Sequence, residues 1–555
     1  MLQLHLTSTF LIAPKTKSVS SRIVLVEEWY RDGGVFILGY GMFRELCVPR
    51  GGQGSEVGAR YRELFQDGPS LIIADEGHNL KNAQAKLATA ANNLKSTARV
   101  ILTGHPLQNR LEEYWCMVDF VRPNFLGDIA TFRHNYIRPI NEGLYPDSSI
   151  FEKKASAKKL KVLTELIKNF VMRKDSSVLK ATLPKKVEFV VSCKLSTMQY
   201  YLYTSFLPTL DPTTRAVLGN GYCLLTICNH PAVFKATLFE MMRRKKADKT
   251  VAASSNDTKA ISAVDSPTTA VPESLADAVG EDSGDETTKE AEQALRYGFI
   301  LPRTASLANV LYSEFDQGIN TVCLYSQNAS VLSNHWSGSF IQEKNVNDIS
   351  HSYKIKILMD ILQACRDVNE KVLVFSRSIP TLDYIERITK EAGFWSMRLD
   401  GDTPIVDRQN MINTFNTSAK YHLFLISSNA GSLGVNLVSA SRVVIFDVGW
   451  NPSHDEQAIA RAFRYGQKRK VFVYRLQTFG TWEDKLYKTN LHKLGLSTRV
   501  VDKKNMIKSY TKTEMTKYFE QPPETTPVWA SQENVDTLFT RPDTDDPVLR
   551  SVIDR

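Results

Sequence analysis

Short runs of apolar, often β-branched residues alternate with longer helical patterns in two separate stretches of this chain. Short apolar runs between helical segments are typical of parallel strands that are buried on both faces. The alternation therefore predicts an α/β protein built from two doubly wound parallel sheets. The predicted strands are residues 35–38, 71–74 and 100–102 in the first stretch and 371–375, 422–426, 443–446 and 471–474 in the second.

Bulk composition narrows the class of protein. With 555 residues and 43% hydrophobic content, the chain can form two or three domains, each with its own core. The net charge of +9 permits a polyanionic partner without demonstrating one. The seven cysteines include no C-x-x-C pair, which argues against a structural metal or a disulfide framework and favours a reducing compartment. No apolar run is long enough for a membrane span, so we expect no membrane partner.

Composition also predicts domain boundaries. Residues 251–290 are rich in Ser, Thr, Ala and acidic side chains, so they cannot bury enough apolar surface to become ordered. Just before them, Arg243-Arg244-Lys245-Lys246 fits a nuclear-import signal and fits a solvated helix end equally well. The predicted parts are a first lobe (1–175), a helical inter-lobe region (176–244), a largely disordered acidic insertion (245–345), a second lobe (346–500) and a mostly flexible extension (501–555).

Two adjacent carboxylates, Asp75 and Glu76, directly follow the apolar run 71–74. They would project from the carboxyl end of a parallel sheet, which is where α/β sheets bind ligands. Nucleotide hydrolysis needs one carboxylate to hold Mg²⁺ and another to orient and deprotonate the attacking water. We assign Asp75 to the metal and Glu76 to the water. Solvated loop acids are the alternative interpretation.

Two further segments carry polar groups in suggestive positions. Residues 102–109 follow the next predicted strand, and on their own they fit an ordinary strand-to-helix turn. Gln457, Arg461 and Arg464 fall at i, i+4 and i+7, so we expect them to share one face of a helix. Two arginines placed in this way suit contacts with phosphate oxygens, and a solvated charged face explains them as well.

The combination of motifs is far more specific than each one alone. In order along the chain they are Asp-Glu-Gly-His (75–78), Leu-Thr-Gly-His-Pro-Leu-Gln-Asn (102–109), Ile-Cys-Asn-His-Pro (227–231), Ala-Gly-Ser-Leu-Gly-Val-Asn-Leu (430–437), Trp-Asn-Pro (450–452) and the segment 457–467. This order closely resembles the Swi/Snf-type helicase-like ATPases of superfamily two. Residues 34–40, 114–120 and 494–502 resemble the ATRX-like subfamily. The resemblance implies two RecA-like lobes that close on ATP and step along duplex DNA.

The resemblance also implies roles for single residues. Asp75 and Glu76 match the magnesium and water-activating acids, and Arg461 and Arg464 match the arginine fingers. The remaining implied roles concern nucleotide coupling (His78, Gln108, Gly434 and Gln457) and DNA contact (Lys81, Arg408, Gly431, Asn436 and Trp450). Core packing is the alternative for Trp450, and a solvated helix start is the alternative for Lys81.

Several positions depart from the family pattern. No glycine in the chain precedes a lysine, so the G-x-x-x-x-G-K-[ST] phosphate loop is missing from it. We therefore expect the first lobe to be incomplete, lacking its first two strands and the adenine-binding segment. His105 stands where the family usually has Thr, Asn429 where it has Lys or Arg, and Tyr353 where it has Gly.

These features predict an ATP- and Mg²⁺-dependent, double-stranded-DNA translocase that acts on chromatin in the nucleus, with nuclear proteins as possible partners. Because the phosphate loop is missing, we expect this chain to be an inactive fragment of such a motor. The alternative is a degenerate motor that binds DNA or chromatin without hydrolysis. An RNA helicase fits less well, because the Gly-His and Asn-His-Pro segments resemble the branch that acts on duplex DNA.

Overall fold

The computed structural model describes residues 9–11, 19–47, 56–80, 86–104, 111–143, 145, 148–174, 182–209, 217–241, 243, 345–428, 434, 436–491 and 546–553. Their contacts divide them into two compact units, with the boundary between Arg173 and Lys174. The described residues before this boundary form the first unit, and those after it form the second unit. In the described ranges, no helix is both long and apolar enough to cross a lipid bilayer.

The first unit contains two parallel strand pairs. β1 (Thr9–Leu11) pairs with β2 (Val35–Ile37), and β3 (Ile72–Asp75) pairs with β4 (Arg99–Leu102). The strands predicted at 35–38, 71–74 and 100–102 are therefore confirmed in position. Their predicted burial on both faces is wrong for β3 and β4, since Ile73, Val100 and Leu102 are exposed. The helices of this unit are Val19–Asp32, Tyr40–Cys47, Glu56–Asp67, Lys86–Asn92, Leu111–Val121, Ile129–Phe132, Arg138–Glu142 and Ile150–Ile167.

The last four of these helices form a cluster that follows β4. Phe132, Ile140 and Leu163 are completely buried where the helices meet. Helix Ile150–Ile167 begins at Ser149, whose hydroxyl accepts the backbone N–H of Glu152 while the Glu152 carboxylate accepts the N–H of Ser149. This reciprocal cap satisfies two backbone donors and fixes the start of the helix.

The second unit is organised around a six-stranded parallel sheet in the order β5-β10-β9-β6-β8-β7. β6 and β8 lie inside the sheet, and every residue of both is buried. Complete burial explains why these strands are continuous apolar runs in the sequence. The strands are β5 (Lys186–Cys193), β6 (Val372–Ser376), β7 (Ser396–Leu399), β8 (Leu423–Ser427), β9 (Arg442–Ile445) and β10 (Val471–Thr478).

Helices cover both faces of this sheet, and each face has its own hydrophobic core. One core gathers Leu358, Ile385 and Tyr474, and the other gathers Phe415, Ile426 and Ala462. Two buried faces agree with the predicted doubly wound α/β class. The helices are Thr197–Phe206, Val217–Asn229, 231–241, Tyr353–Asp367, Ile379–Glu391, Ile405–Thr417, Pro452–Ile459, 482–491 and Pro547–Ile553.

The second sheet includes one strand from outside the predicted second lobe (346–500). β5 comes from the region predicted to be a helical inter-lobe segment, and it pairs with β10 over its whole length, from Lys186 to Cys193. Its residues alternate between exposed and half-buried because it is an edge strand, so it lacks the continuous apolar run that marks the interior strands. β7 was not predicted either. It forms the opposite edge of the sheet, and its sequence, Ser-Met-Arg-Leu, also lacks a continuous apolar run.

Candidate functional site

The predicted acidic pair lies at the end of β3. Asp75 is the last residue of the strand, and one of its carboxylate oxygens accepts the backbone N–H of Glu76 at 2.9 Å. The Tyr40 hydroxyl donates to the backbone carbonyl of Asp75 at 2.8 Å. Both carboxylates are exposed, so they remain available to a ligand. Hard carboxylate oxygens beside open solvent fit Mg²⁺, which keeps several water ligands in proteins.

The turn after β3 requires an unusual backbone. Glu76 has a φ of 49°, a left-handed conformation that is uncommon for residues other than glycine. Gly77 follows it in the tightest part of the turn, where a Cβ atom would lie 2.4 Å from Cγ2 of Ile101. Only glycine fits at that distance, which explains sterically why a glycine follows Asp75 and Glu76 in the sequence. The surrounding structure holds Glu76 in a strained conformation, as is common at functional sites.

His78 connects this turn to the loop after β4. Its Nδ1 atom lies 3.3 Å from a carboxylate oxygen of Glu76 and 3.2 Å from the hydroxyl oxygen of Thr103. Thr103 belongs to the predicted 102–109 segment, so the two polar loops meet through one imidazole. Two residues assigned from the sequence, Lys81 and Gln108, lie outside the described residues, as does His105, which departs from the family pattern.

Tyr40 is a residue that sequence reasoning did not assign to the site. Burial raises the pKa of its phenol to about 12, and the nearby negative charges of Asp75 and Glu76 contribute to the same rise. The phenol therefore stays protonated and can only donate to the Asp75 carbonyl. The sequence carries a weak signal for this role, since Tyr40 begins a helix just after the strand that ends at Ile37.

The prediction that Gln457, Arg461 and Arg464 share one helix face is wrong. The helix that contains Gln457 runs from Pro452 to Ile459 and ends at Ala460. Arg461 then donates its backbone N–H to the carbonyl of Ala458, three residues earlier, which tightens the turn and takes the chain out of the α-helix. Arg461 and Arg464 therefore lie on an irregular segment, and helical spacing does not describe their directions.

Contacts with another segment determine where the two arginines lie. Arg464 donates from Nη1 to the carbonyl of Gly434 at 3.4 Å, and the backbone N–H of Leu437 donates to the carbonyl of Arg461 at 2.9 Å. Gly434 has a φ of 67°, which favours glycine at this position. Asn436 is exposed, and its carbonyl accepts a hydrogen bond from the Asn416 amide.

The structure thus brings the two predicted motifs of the second unit together. Gly431 and Asn429 lie outside the described residues, so the structure describes only part of the glycine loop.

The assignment of Trp450 to DNA contact is wrong. Its side chain is 2% exposed and stacks on Trp482, with ring centroids 6.5 Å apart. A ring enclosed in the core cannot reach a nucleic acid without local unfolding. The alternative given above, core packing, is confirmed.

Arg408 has a structural task in the second unit. Its guanidinium donates to the carbonyls of Thr403 at 2.9 Å and of Asp400 and Gly401 at 3.3 Å. These bonds hold the loop that follows β7. Any contact between Arg408 and DNA would have to use the donors that these carbonyls leave over.

A buried polar network was also missed by sequence reasoning. Lys354 is 1% exposed, and its ammonium donates to Glu483 at 2.8 Å and to the side chain of Asn229 at 3.0 Å. Asn229 belongs to the Asn-His-Pro segment and also donates to Asp447 at 3.2 Å. The signal was a lysine beside apolar Ile355 at the start of an amphipathic helix, but its partners are distant in the sequence.

The neighbouring His230 is completely buried, and its imidazole is held in one neutral form. The backbone N–H of Ala232 donates to Nδ1 at 3.0 Å, so Nε2 carries the proton and faces the carbonyl of Asp348 at 3.0 Å. Burial lowers the pKa of His230 to about 4. The hydrogen bond to the Asp348 carbonyl acts in the opposite direction, and the charges of His351 and Arg387 lower the pKa further.

Acid should therefore destabilise the second unit through His230. The imidazole of the unfolded chain takes up a proton near its ordinary pKa of 6.5, while the folded one resists until about pH 4. The stability is complete above pH 6.5 and should fall by about 3 kcal/mol as the pH drops through this window. Urea unfolding at several pH values would measure the slope. The variant His230→Gln should have a clearly flatter slope, and an unchanged slope would contradict this account.

Two family models match parts of this chain. A family model described as the SNF2-related domain matches residues 7–257, and one described as the helicase conserved C-terminal domain matches residues 353–466. The chain is 36% identical over 521 residues to Protein CHROMATIN REMODELING 20 of Arabidopsis thaliana, which covers 90% of this chain and 32% of that protein. It is 33% identical over 541 residues to the Transcriptional regulator ATRX homolog of Drosophila melanogaster, covering 90% of this chain and 40% of that protein.

A solved structure, the Sulfolobus solfataricus SWI2/SNF2 ATPase core in complex with dsDNA, is 20% identical and has a TM-score of 0.35. That match covers 94% of this chain and 82% of that one. The chain spans 32% and 40% of the length of the two relatives named above.

Proposed function

Because this chain belongs to the Swi/Snf-type, SNF2-related family of helicase-like ATPases, we propose that it is part of a motor that couples ATP hydrolysis to movement along double-stranded DNA. The observation that carries the proposal is the turn after β3, where exposed Asp75 and Glu76 are linked through His78 to Thr103. A site that reports nucleotide state needs such a connection between its acids and a second loop. We further propose that the motor acts on chromatin in the nucleus.

Metal binding, water activation, charge stabilisation and DNA contact each have a candidate residue in this proposal. Asp75 would hold Mg²⁺ and Glu76 would orient the attacking water, since an exposed carboxylate pair can serve both purposes. Arg461 and Arg464 would stabilise charge on the transferring phosphate. Bound ATP and Mg²⁺ supply the reacting phosphate and its charge neutralisation. DNA contact is proposed for the 431–436 loop, together with Lys81 and, through its loop, Arg408.

The chain of 555 residues contains no Gly-Lys pair and so no phosphate-binding loop of the G-x-x-x-x-G-K-[ST] type. We predict that it hydrolyses ATP no faster than background, because the affinity for Mg²⁺-nucleotide in such motors depends on the backbone N–H groups and the lysine of that loop. Release of phosphate, measured with and without duplex DNA, tests this expectation. Stimulation by DNA that disappears in Glu76→Gln would contradict it.

The same absence favours a second candidate, a module that binds DNA or chromatin without hydrolysis. Duplex-DNA affinity of the chain, measured without nucleotide, separates the candidates. If the chain binds duplex DNA and shows no turnover even when fused to a phosphate-loop segment, the binding module is the better description. If the fusion restores DNA-stimulated turnover, the motor is.

A further inference from the structure

The strands of the second sheet all begin at the same edge, because they are all parallel. Basic residues stand just before or at the start of most of these strands. We name this surface the amino edge and define it by Lys185, Lys186, Trp395, Lys371, Lys420, Lys468, Arg469 and Lys470. None of these residues belongs to the site described above.

The strand register arranges the amino edge in a row. Lys186 lies opposite Val471 on the neighbouring strand. Lys185 and Lys470, which precede these two residues, therefore lie side by side. On the other side of β9, Lys371 precedes β6 and Trp395 precedes β7, and the first residues of both strands pair with Leu423 of β8 between them. The five spacings between six strands give the row a length of about 24 Å.

Several of these cations carry no neutralising partner. In the described ranges, no carboxylate forms an ion pair with Lys185, Lys420, Lys468 or Arg469, and all four are exposed. Three acids near the row are already engaged: Glu370 and Asp546 bind Arg442, and Glu188 binds Lys186 and Arg475. The row therefore has a surplus of positive charge.

The middle of the row is rigid. Gln467 is 5% exposed, donates from its amide to the carbonyls of Ala440 and Ala462, and accepts the backbone N–H groups of Lys468 and Arg469 at 2.9 Å each. Lys371 donates to the carbonyls of Phe415 and Ser418. Burial lowers the pKa of Lys371, and the charge of Arg469 lowers it further, so the two cations are close.

An aromatic platform ends the row. Trp395 is 60% exposed, although tryptophan usually buries most of its ring. The ammonium of Lys420 lies 3.8 Å from its ring centroid and 5.8 Å from that of Tyr421. A row of cations with an exposed aromatic ring is the combination that proteins use for unpaired nucleic-acid strands, in which cations bind the backbone and bases stack on rings.

We propose that the amino edge binds an unpaired nucleic-acid strand, with phosphates along Lys185, Lys468, Arg469 and Lys420 and a base on Trp395. The exposed ring favours unpaired bases over a duplex, whose bases are stacked on each other. It also favours nucleic acid over an acidic protein segment, which needs no flat platform. The proposal does not depend on ATP hydrolysis or on the motor function above.

The test is the affinity of the full chain for a labelled DNA strand of about 20 nucleotides, longer than the sites such grooves usually cover, an RNA strand of the same sequence and a duplex, at several salt concentrations. Lys468→Ala/Arg469→Ala should weaken binding of the unpaired strands and reduce the slope of log affinity against log salt by about 1.4, or about 0.7 for each lost phosphate contact. Trp395→Ala should weaken it by about fivefold or more, and Trp395→Phe should restore most of the loss.

Lys356→Ala is the matched control. It removes an exposed lysine near the start of helix Tyr353–Asp367, away from the helix end that leads into β6, and it should bind like the parent. A salt slope unchanged in the double variant would overturn the proposal. So would equal losses of duplex and unpaired strand in Trp395→Ala, or competition by polyglutamate as effective as that by nucleic acid. The DNA and RNA arms identify which strand is preferred, and a preference for either supports the proposal.

Discussion

Replacing Arg464 with alanine, in a chain supplied with a phosphate-loop segment, should lower DNA-stimulated ATP turnover by about 10³-fold or more. The reason is electrostatic: charge develops on the transferring phosphate, and a positioned guanidinium stabilises it only in the transition state. Arg464 is exposed, and its guanidinium makes a long contact, 3.4 Å, with the carbonyl of Gly434, so it is available to a phosphate.

Arg408→Ala in the same fused chain is the contrasting variant. Its guanidinium holds the loop between Asp400 and Thr403, so its loss should affect duplex-DNA affinity and the salt dependence more than the turnover of bound ATP. Turnover is measured at saturating DNA, and affinity is measured separately. Near-normal turnover in Arg464→Ala would show that the arginine-finger assignment is wrong.

Replacing Lys354 with methionine should lower the free energy of unfolding of the second unit by about 3–5 kcal/mol, the usual cost of removing one partner from a buried ion pair. The Glu483 carboxylate, with 0% of its side chain exposed, would lose its cation. It would keep the backbone N–H groups of Thr478 at 2.9 Å and Val448 at 3.3 Å, which cannot neutralise its charge. Urea unfolding followed by tryptophan fluorescence measures the change.

Two variants show whether the ion pair is the cause. Lys356→Met makes the same substitution two residues away at an exposed position, and it should change stability by no more than about 0.5 kcal/mol. Lys354→Met/Glu483→Leu removes both charges and should recover much of the loss. If the double variant were as unstable as Lys354→Met alone, loss of packing rather than an unpaired charge would be the explanation.

Interior strands and chemical motifs could be predicted from the sequence, because both leave local signals. β6, β8 and the start of β10 are unbroken apolar runs, and Asp75 and Glu76 follow such a run directly. The edge strand β5 could not be predicted in the same way. Its alternating pattern fits several structures, and only its pairing with β10 selects one of them.

Only part of the site could be predicted, because only local patterns leave a signal in the sequence. The residues that belong to one motif are neighbours in the chain, whereas the contacts between motifs are not. His78 reaches Thr103, and Arg464 reaches Gly434, across separations that no periodic pattern records. Helical spacing also gave a wrong prediction. Gln457, Arg461 and Arg464 are spaced to share a helix face, but the helix ends at Ile459, before the two arginines.

The sequence by itself determined the α/β class, the order of the motifs and the acidic pair at a strand end, because burial and turn chemistry act on neighbouring residues. Only the tertiary structure decided whether a side chain faces solvent or the core. Trp450 and Trp395 are both tryptophans near strand ends, yet one is 2% exposed and the other 60%. The difference depends on Trp482, which covers the first ring from a distant helix, whereas the second ring is left largely open to solvent.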